Sequence, residues 1–539
     1  MMLAVALVAA ACIVRTLLYP FDDPDLWQHL AVGRAIWALH RVPLEHLWTW
    51  PSYGQPDVLP SWIFRALLWP WYAIGGVAGL TTFRWLLALG AFGIAWATSR
   101  VLGARGLLSL PVMVLCALSF RARSQLRPEM LVIVLLALEM GVLERRRQGA
   151  RRSWPALLAI AWIWANLHLS FFFGWAVLAI HALLAPEPGV RGWWRSRGPL
   201  LATLGGVVAI SFANPFGWRA LWQPVEYFTT WRHDSIYRAI PELMPFWAMW
   251  RVRLATGLPL LLAVWPLLVA WRPRGRRFDP VEAALCVMFT VLTVYAQRFA
   301  SFYAIAIAPY LARDLAAWAA GWRPPRALVG PAARAALTAA ACIALCLPAW
   351  SDPAYPLGIG FAWTYYPVGA CDRIESAGLR GRIFNPYYFG GYLLWRFWPQ
   401  RDRLPFMDIH QTGTPQDREW SGYALGEPRA WRSLDDEHHF QLAVIDGHLD
   451  WMWSYRLPDA LDADTTWALV FRDDAGMLYV RREGANARIA DSLAYRFVPG
   501  GFAAWHERFG LVIRDRDARE AARAELERMR RESPQCGWA

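Results

Sequence analysis

Long apolar runs recur from the amino terminus to about residue 350 and then stop. A helix needs about 20 apolar residues to cross a bilayer's hydrocarbon core, so the runs predict a polytopic α-helical membrane protein. Spans are expected at about 1–18, 76–98, 106–120, 129–143, 154–167, 171–185, 199–213, 255–271, 280–295, 301–317 and 334–350, about eleven in all. Composition agrees: only 18% of the 539 residues are charged, against about a quarter in soluble domains. No charged n-region precedes the first run, which therefore reads as an uncleaved helix. The division expected is a membrane module over 1–350 and a soluble domain over 351–539.

The net charge of +13 does not point to nucleic acid, because the basic residues fall largely in short loops between apolar runs. Arg145–Arg147, Arg191–Arg197, Arg272–Arg277 and Arg323–Arg326 all fall on one side by parity. The positive-inside rule makes that side cytoplasmic. The loop at 20–75, the loop at 214–254 and the soluble domain are then expected outside, and the whole is expected in the inner membrane of a cell.

The outer loop opens on Phe21-Asp22-Asp23-Pro24-Asp25-Leu26-Trp27-Gln28-His29-Leu30. Carboxylates where a membrane helix meets water are costly to desolvate and tend to be functional. The same residues also read as a helix start, with Asp22 or Asp23 as cap, Pro24 in the first turn and Asp25 complementing the dipole. The two readings are compatible. An interfacial helix is expected over 25–39 and a second aromatic segment over 61–74.

Arg121, Arg123, Arg127 and Arg298 lie on the outer side, against the positive-inside bias. Guanidinium groups pair bidentately with phosphate, so four on one face suggest an anionic ligand. Pairing with Glu129 or lipid headgroups is the plainer alternative. Asn166 and His168 interrupt an apolar run on the same side; a hydrogen-bonded core histidine accounts for His168 equally well. Asn214-Pro-Phe-Gly-Trp-Arg219 reads as a helix stop, and the loop after it carries Glu226, His233, Asp234 and Glu242.

Beyond 351 the chain reads as a small α/β domain. Strands are expected over 381–385, 404–408 and 440–445, a helix over 389–397, a hairpin of 467–472 with 477–482, and a charged helix after 515. Of seven cysteines only Cys371 and Cys536 lie in this domain, and spacing alone does not establish a bridge between them.

These residues carry a resemblance. The chain resembles the GT-C superfamily of integral membrane glycosyltransferases, and within it a bacterial branch whose outer loop reads close to D-x-D-x-W-x-H-L-x-x-G-R. Here that stretch is Asp23-Pro-Asp25-Leu-Trp27-Gln-His29-Leu-Ala-Val-Gly33-Arg34. Arg127-Pro128, Trp164-Ala-Asn166-Leu-His168, Asn214–Arg219, Tyr366–Ala370 and Asn385–Trp395 are similar too. One departure is Asp408-Ile-His410, where related sequences tend to read Asp-Gly-Arg.

The resemblance implies inverting transfer of a sugar from a polyprenyl-phosphate donor to a glycan, lipid or protein acceptor. Asp23 or Asp25 would act as base and Arg121, Arg123, Arg127 and Arg298 would hold phosphate, with His29, Arg34, Asn166 and His168 as further substrate contacts. No cofactor is required; a magnesium or manganese ion on Asp23 and Asp25 is compatible with hard-oxygen chemistry. The alternatives are a non-catalytic envelope protein that binds glycan or acts as a scaffold, and a transporter. Few ionisable residues are expected deep in the spans, which argues against the transporter.

Overall fold

The computed structural model describes residues 1–150, 152–185, 190, 192–233, 237, 240–249, 257–270, 279–321, 330–409, 414–448, 454–534 and 536–537. Arg151, Arg191, Asp234, Arg272–Arg277, Arg323–Arg326 and His410 lie outside the described residues. The chain forms two compact units. The first comprises Met1–Phe21, Val58–His233 and Tyr237–Gly360; the second comprises Asp22–Asp57, Asp234–Ile236 and Phe361–Ala539. The acidic loop therefore belongs to the same unit as the C-terminal residues.

In chain order the helices begin with α1 (Met2–Thr16), α2 (Pro24–Leu39), α3 (Trp62–Val101), α4 (Ser109–Phe120) and α5 (Pro128–Arg147). Next come α6 (Trp154–Ala165), α7 (Phe171–Leu184), α8 (Trp193–Ser211) and α9 (Trp218–Thr229). The set up to residue 350 ends with α10 (Leu258–Ala270), α11 (Pro280–Tyr295), α12 (Ala300–Ala320) and α13 (Pro331–Trp350). Each expected span carries a helix. By length and composition, α3 and α13 are long and apolar enough to cross a membrane, whereas α1, α6, α7, α10 and α11 are shorter apolar helices.

The first unit is organised around α12, which packs along α3, α4, α5, α10 and α11. Residues Ala300 to Asp314 of α12 are buried without interruption, the mark of a helix enclosed on every side. The segments expected separately at 61–74 and 76–98 are one helix, α3, sharply kinked at Gly76. The backbone there has φ 53° and ψ −140°, a conformation open in practice to glycine. The body also holds more charge than the sequence suggested. Glu144 accepts from Tyr310 at 2.7 Å and from Arg147 at 3.0 Å, and Arg313 donates to Glu282 at 2.6 Å. These charges are paired, as buried charges must be.

The second unit adds strands β1 (Ile383–Phe384), β2 (Leu442–Asp446), β3 (Trp467–Arg472) and β4 (Gly476–Arg481). Among its helices are α14 (Val368–Ser376), α15 (Tyr387–Phe397), α16 (Pro415–Tyr423) and α17 (Pro428–His438). The sheet order is β1-β2-β4-β3, with β1 and β2 parallel and the other pairs antiparallel. The hairpin turn forms as expected: Asp473 Oδ1 accepts from the backbone of Ala475 at 2.9 Å and Gly476 at 2.7 Å. The charged helix expected after 515 runs from Arg516 to Glu532. Phe384, Phe406, Trp431, Phe440 and Tyr479 lie in one apolar core.

The strand expected over 404–408 does not form. Asn385 takes its place: Nδ2 donates to the Met407 carbonyl and Oδ1 accepts from the Phe406 amide, both at 2.8 Å. A buried side-chain amide thus satisfies the backbone that a neighbouring strand would have satisfied, and Pro405 could not have donated to a ladder. Cys371 and Cys536 remain free thiols, and the Cys536 thiol lies 3.5 Å from Asp474.

Candidate functional site

In the second unit, Asp23 caps α2. Its backbone is extended and its Oδ1 accepts from the Asp25 amide at 3.2 Å. Pro24 occupies the first helical position, where its missing N–H costs nothing. Asp25 follows in the first turn. His29 lies one turn further on the same face of α2, four residues on, and is buried.

The first turn of α2 is pressed against α15. Gly391 makes this approach possible, because a Cβ there would lie 2.7 Å from the Pro24 carbonyl oxygen. A Cβ on Gly390 would collide with the Met407 carbonyl. The same contact brings in a third carboxylate: Gln28 Nε2 donates to Asp408 Oδ2 at 2.5 Å, and Asp408 is wholly buried. Trp27 fills the interior between, packed on Phe361, Trp363, Tyr366, Tyr392 and Trp395. The Tyr366 hydroxyl donates to the Asp23 carbonyl at 3.3 Å.

Arg34 serves this packing. It donates to the Trp395 carbonyl at 2.8 Å and lies over the Trp395 ring at 4.4 Å. Stacked and hydrogen-bonded, it ties α2 to α15.

In the first unit the four arginines expected on the outer side divide. Arg121 is a structural clasp: it donates to the Thr16 carbonyl at 3.1 Å and to the Ala349 carbonyl, and lies over Tyr355 at 4.3 Å. Arg123, Arg127 and Arg298 converge on two carboxylates. Arg123 bridges Glu129 and Glu242. Arg127 reaches Glu242 and Arg298 reaches Glu129, each at 3.0 Å. Among the described residues, three guanidinium groups thus share two carboxylates.

His168 faces the same cluster, its Nε2 4.0 Å from Glu129. Its Nδ1 accepts from the Ser170 amide at 3.1 Å, which puts the ring proton on Nε2, toward Glu129. Burial pushes the imidazole pKa down to about 4, further than the Glu129 carboxylate lifts it. Glu242 is held at about 2: burial alone would raise it, but Arg123, Arg127 and Arg298 together outweigh burial. Asn166 is a structural tie, donating to the Trp162 and Ala213 carbonyls at 2.9 and 3.2 Å and accepting from Trp62 at 2.9 Å.

Two cavities meet at Arg298. One, of about 220 Å³, is lined by Tyr227, Phe228, Arg232, Tyr295, Arg298 and others. The second, of about 70 Å³, is lined by Glu129, His168, Phe172, Phe173, Arg298 and Phe302 among others. Both touch Tyr227, Phe228, Arg298 and Phe299. A cationic group is thus set among aromatic walls, an arrangement suited to an amphipathic anion. Arg232, over the Tyr295 ring at 5.8 Å, adds a cation that the sequence did not single out.

Among the described residues the His/carboxylate group with ligand atoms close enough to hold a metal ion is Asp417, Glu437 and His438. There His438 Nε2 lies 2.8 Å from one oxygen of Asp417, and the other oxygen closes the cap of α16 with Thr414.

The comparison with solved structures shows the GT-C fold. No protein-family model and no curated protein matches the sequence. The chain is similar to the oligosaccharyltransferase AglB of Archaeoglobus fulgidus in complex with an inhibitory peptide and a dolichol-phosphate. Identity is 14% and the TM-score 0.60, over 89% of this chain and 74% of that one. It is also similar to ArnT from Cupriavidus metallidurans bound to undecaprenyl phosphate, at 13% identity and a TM-score of 0.53, over 89% of this chain and 97% of that one. A further AglB structure, with zinc and sulfate, matches at 12% identity and a TM-score of 0.57, over 88% and 73%. The fold expected from the sequence is therefore the fold observed, and it is that of integral membrane proteins.

Proposed function

We propose that the chain is a membrane glycosyltransferase that moves a sugar from a polyprenyl-phosphate donor to an envelope or lipid-linked acceptor on the outer face of the inner membrane. The observation that carries this reading is the cavity pair at Arg298, where an arginine-rich cluster meets aromatic walls. A polyprenyl phosphate has matching chemistry, with an anionic head on a long apolar tail. The fold supports the reading independently, since solved structures of similar fold include one with a dolichol-phosphate and one with undecaprenyl phosphate.

In this mechanism Arg123, Arg127, Arg298 and Arg232 hold the phosphate that leaves. The acceptor hydroxyl oxygen attacks the anomeric carbon as the carbon–oxygen bond to phosphate breaks. The hydroxyl proton passes to a carboxylate, and the electron pair departs with polyprenyl phosphate. Asp25, in the first turn of α2, or Asp23 is that base. Asp23 already caps α2 through its Oδ1, and a base must reach the hydroxyl it deprotonates. His168, neutral above about pH 4, adds a donor near the phosphate rather than a charge. A divalent ion on Asp23 and Asp25 would supply Lewis-acid charge for the donor phosphate oxygens, the usual habit of magnesium.

The test is reconstitution of the full-length protein in lipid with a radiolabelled polyprenyl-phosphate sugar and membrane extract as acceptor. Asp25→Asn is expected to lower transfer by about 10²–10⁴-fold, the range for removing a general base, with the amount of folded protein unchanged. Transfer by Asp25→Asn at the wild-type rate would remove Asp25 from the chemistry. Absence of transfer by the wild-type protein itself, with glycan binding retained, would favour the non-catalytic envelope protein.

A further inference from the structure

The turn Asn214-Pro-Phe-Gly-Trp-Arg219 takes no part in the mechanism above, and neither does the first half of the helix it starts. Asn214 builds the turn. Its Nδ2 donates to the Ser211 and Gly217 carbonyls, both at 3.0 Å, and its Oδ1 accepts from the Phe216 amide at 2.8 Å. Gly217 precedes α9 at φ 58°, a backbone state that glycine adopts without strain. The turn is also tied to α6 and the residue that ends it. Trp162 Nε1 donates to the Ala213 carbonyl at 2.7 Å, and Asn166 Nδ2 donates to the same oxygen at 3.2 Å. The direction in which α9 leaves α8, the helix of the span expected over 199–213, is therefore set by hydrogen bonds.

This helix has three sides. Trp218, Trp222 and Val225 stand at i, i+4 and i+7, with Phe228 a turn further on, and they are 62%, 49%, 37% and 41% exposed. Ala220 and Pro224, four residues apart, are buried against the protein. Arg219 and Glu226, seven residues apart, share the third side, Arg219 exposed and Glu226 half-buried. An apolar stripe of this size left in water marks a surface that something covers. A helix with one apolar side and one charged side is the form that lies in the plane of a membrane surface. Tryptophan is enriched at that level because its ring is apolar and its N–H polar. The fold is that of integral membrane proteins, so a bilayer is always within reach of the stripe. The stripe also ends at the cavities: Phe228 and its neighbour Tyr227 wall both of those that meet at Arg298.

We propose that α9 lies in the bilayer interface with the stripe from Trp218 to Phe228 among lipid acyl chains, so that the cavities at Arg298 open past Phe228 to lipid rather than to bulk water. Arg219 and Glu226 then stand on the headgroup side. A ligand with an anionic head and an apolar tail enters such a cavity sideways. Its tail stays in lipid throughout, which spares the cost of exposing apolar surface to water, and its head moves only from the headgroup layer to Arg298. The inference deepens the transferase reading, on which its biological meaning rests, by giving the donor a route; lipid contact itself is measured without donor or transfer.

The experiment uses the full-length protein in nanodiscs of palmitoyl-oleoyl phosphatidylglycerol, with photoreactive p-benzoylphenylalanine placed in turn at Trp222, Phe228 and Arg219. All three side chains are exposed, so each replacement is expected to leave the fold intact. After illumination, lipid adducts on the α9 peptide are measured by mass spectrometry. The probe at Trp222 and at Phe228 should capture lipid, and at Arg219 most of that signal should be lost. Absence of lipid adducts at Trp222, or equal capture at all three positions, would overturn the proposal. Cross-links from Trp222 to a second copy of the chain in place of lipid would overturn it too, by making α9 a dimer surface. Capture at Trp222 without capture at Phe228 would overturn the opening of the cavities to lipid. Lipid capture at both, with no sugar transfer by the wild-type protein, would leave this inference standing while the transferase reading fails.

Discussion

The acidic loop of the second unit and the arginine cluster of the first stood out in the sequence for the same reason: charge in an apolar chain. The structure treats them differently. Asp23 does the ordinary work of a helix cap, and its neighbour Asp25 takes the first-turn position that the dipole favours. Arg123, Arg127 and Arg298 are locked to Glu129 and Glu242 in a buried network. The network is therefore expected to be the more sensitive of the two to loss of a charge. Charge at a helix start is placed by its own segment; charge in a buried network is placed by the fold.

The largest expected effect breaks this comparison on the side of activity. Asp25→Asn should reduce transfer by about 10²–10⁴-fold and leave thermal unfolding in detergent nearly unchanged. Glu129→Gln should do the opposite to stability. Glu129 is 3% exposed and accepts from both Arg123 and Arg298. Removing one partner from a buried pair leaves an uncompensated charge and costs about 3–5 kcal/mol. Fluorescence-detected unfolding of the two variants side by side should place them at opposite corners of a stability–activity plot. If Glu129→Gln unfolds at the wild-type temperature, the network is not the structural element described.

A smaller effect is expected with pH. The His168 pKa lies at about 4, below the ordinary value of 6.5, so the folded state binds fewer protons than the unfolded one. Its contribution to stability is complete above pH 6.5 and is lost as pH falls through 6.5 toward 4. Glu242, at about 2 against an ordinary 4.5, loses its contribution in a lower window, between 4.5 and 2. Unfolding temperatures measured from pH 7.5 to pH 4.5 should therefore fall. His168→Asn should flatten that decline, whereas Asp25→Asn should leave it unchanged.

How much of this was legible in the sequence depends on where each residue finds its partners. The helices could be read because apolar length and period are local properties. The capping of α2 could be read for the same reason, since Asp23, Pro24 and Asp25 supply all its parts. Arg121, Arg123 and Arg127 could not be told apart. They lie within seven residues of one another, but Arg121 reaches carbonyls at Thr16 and Ala349 while Arg123 reaches Glu242. Only the fold sorts them. The same holds for Asn166, which is satisfied by Trp62 and Ala213, and for Arg34, which meets the carbonyl of Trp395. The missing strand at 404–408 failed on a side chain, because nothing in that segment's pattern reveals that Asn385 will occupy its hydrogen-bonding groups.

The smallest expected effect sharpens the comparison within the loop itself, between two aspartates two residues apart. Asp23 accepts the Asp25 amide as the cap of α2, and loss of that cap in Asp23→Ala should cost about 1 kcal/mol, the usual loss at a cap. Asparagine caps nearly as well as aspartate, so Asp23→Asn should restore that stability. Asp25→Asn gives up a favourable dipole contact, worth about 0.3–1 kcal/mol. Transfer should rank the variants otherwise: Asp25→Asn inactive, Asp23→Asn far more active. If Asp23→Asn is stable but as inactive as Asp25→Asn, the Asp23 carboxylate has a role beyond capping, and a cation shared between the two aspartates becomes the better account. Dependence of wild-type transfer on added magnesium or manganese after chelation would then decide between one base and a metal-bearing pair.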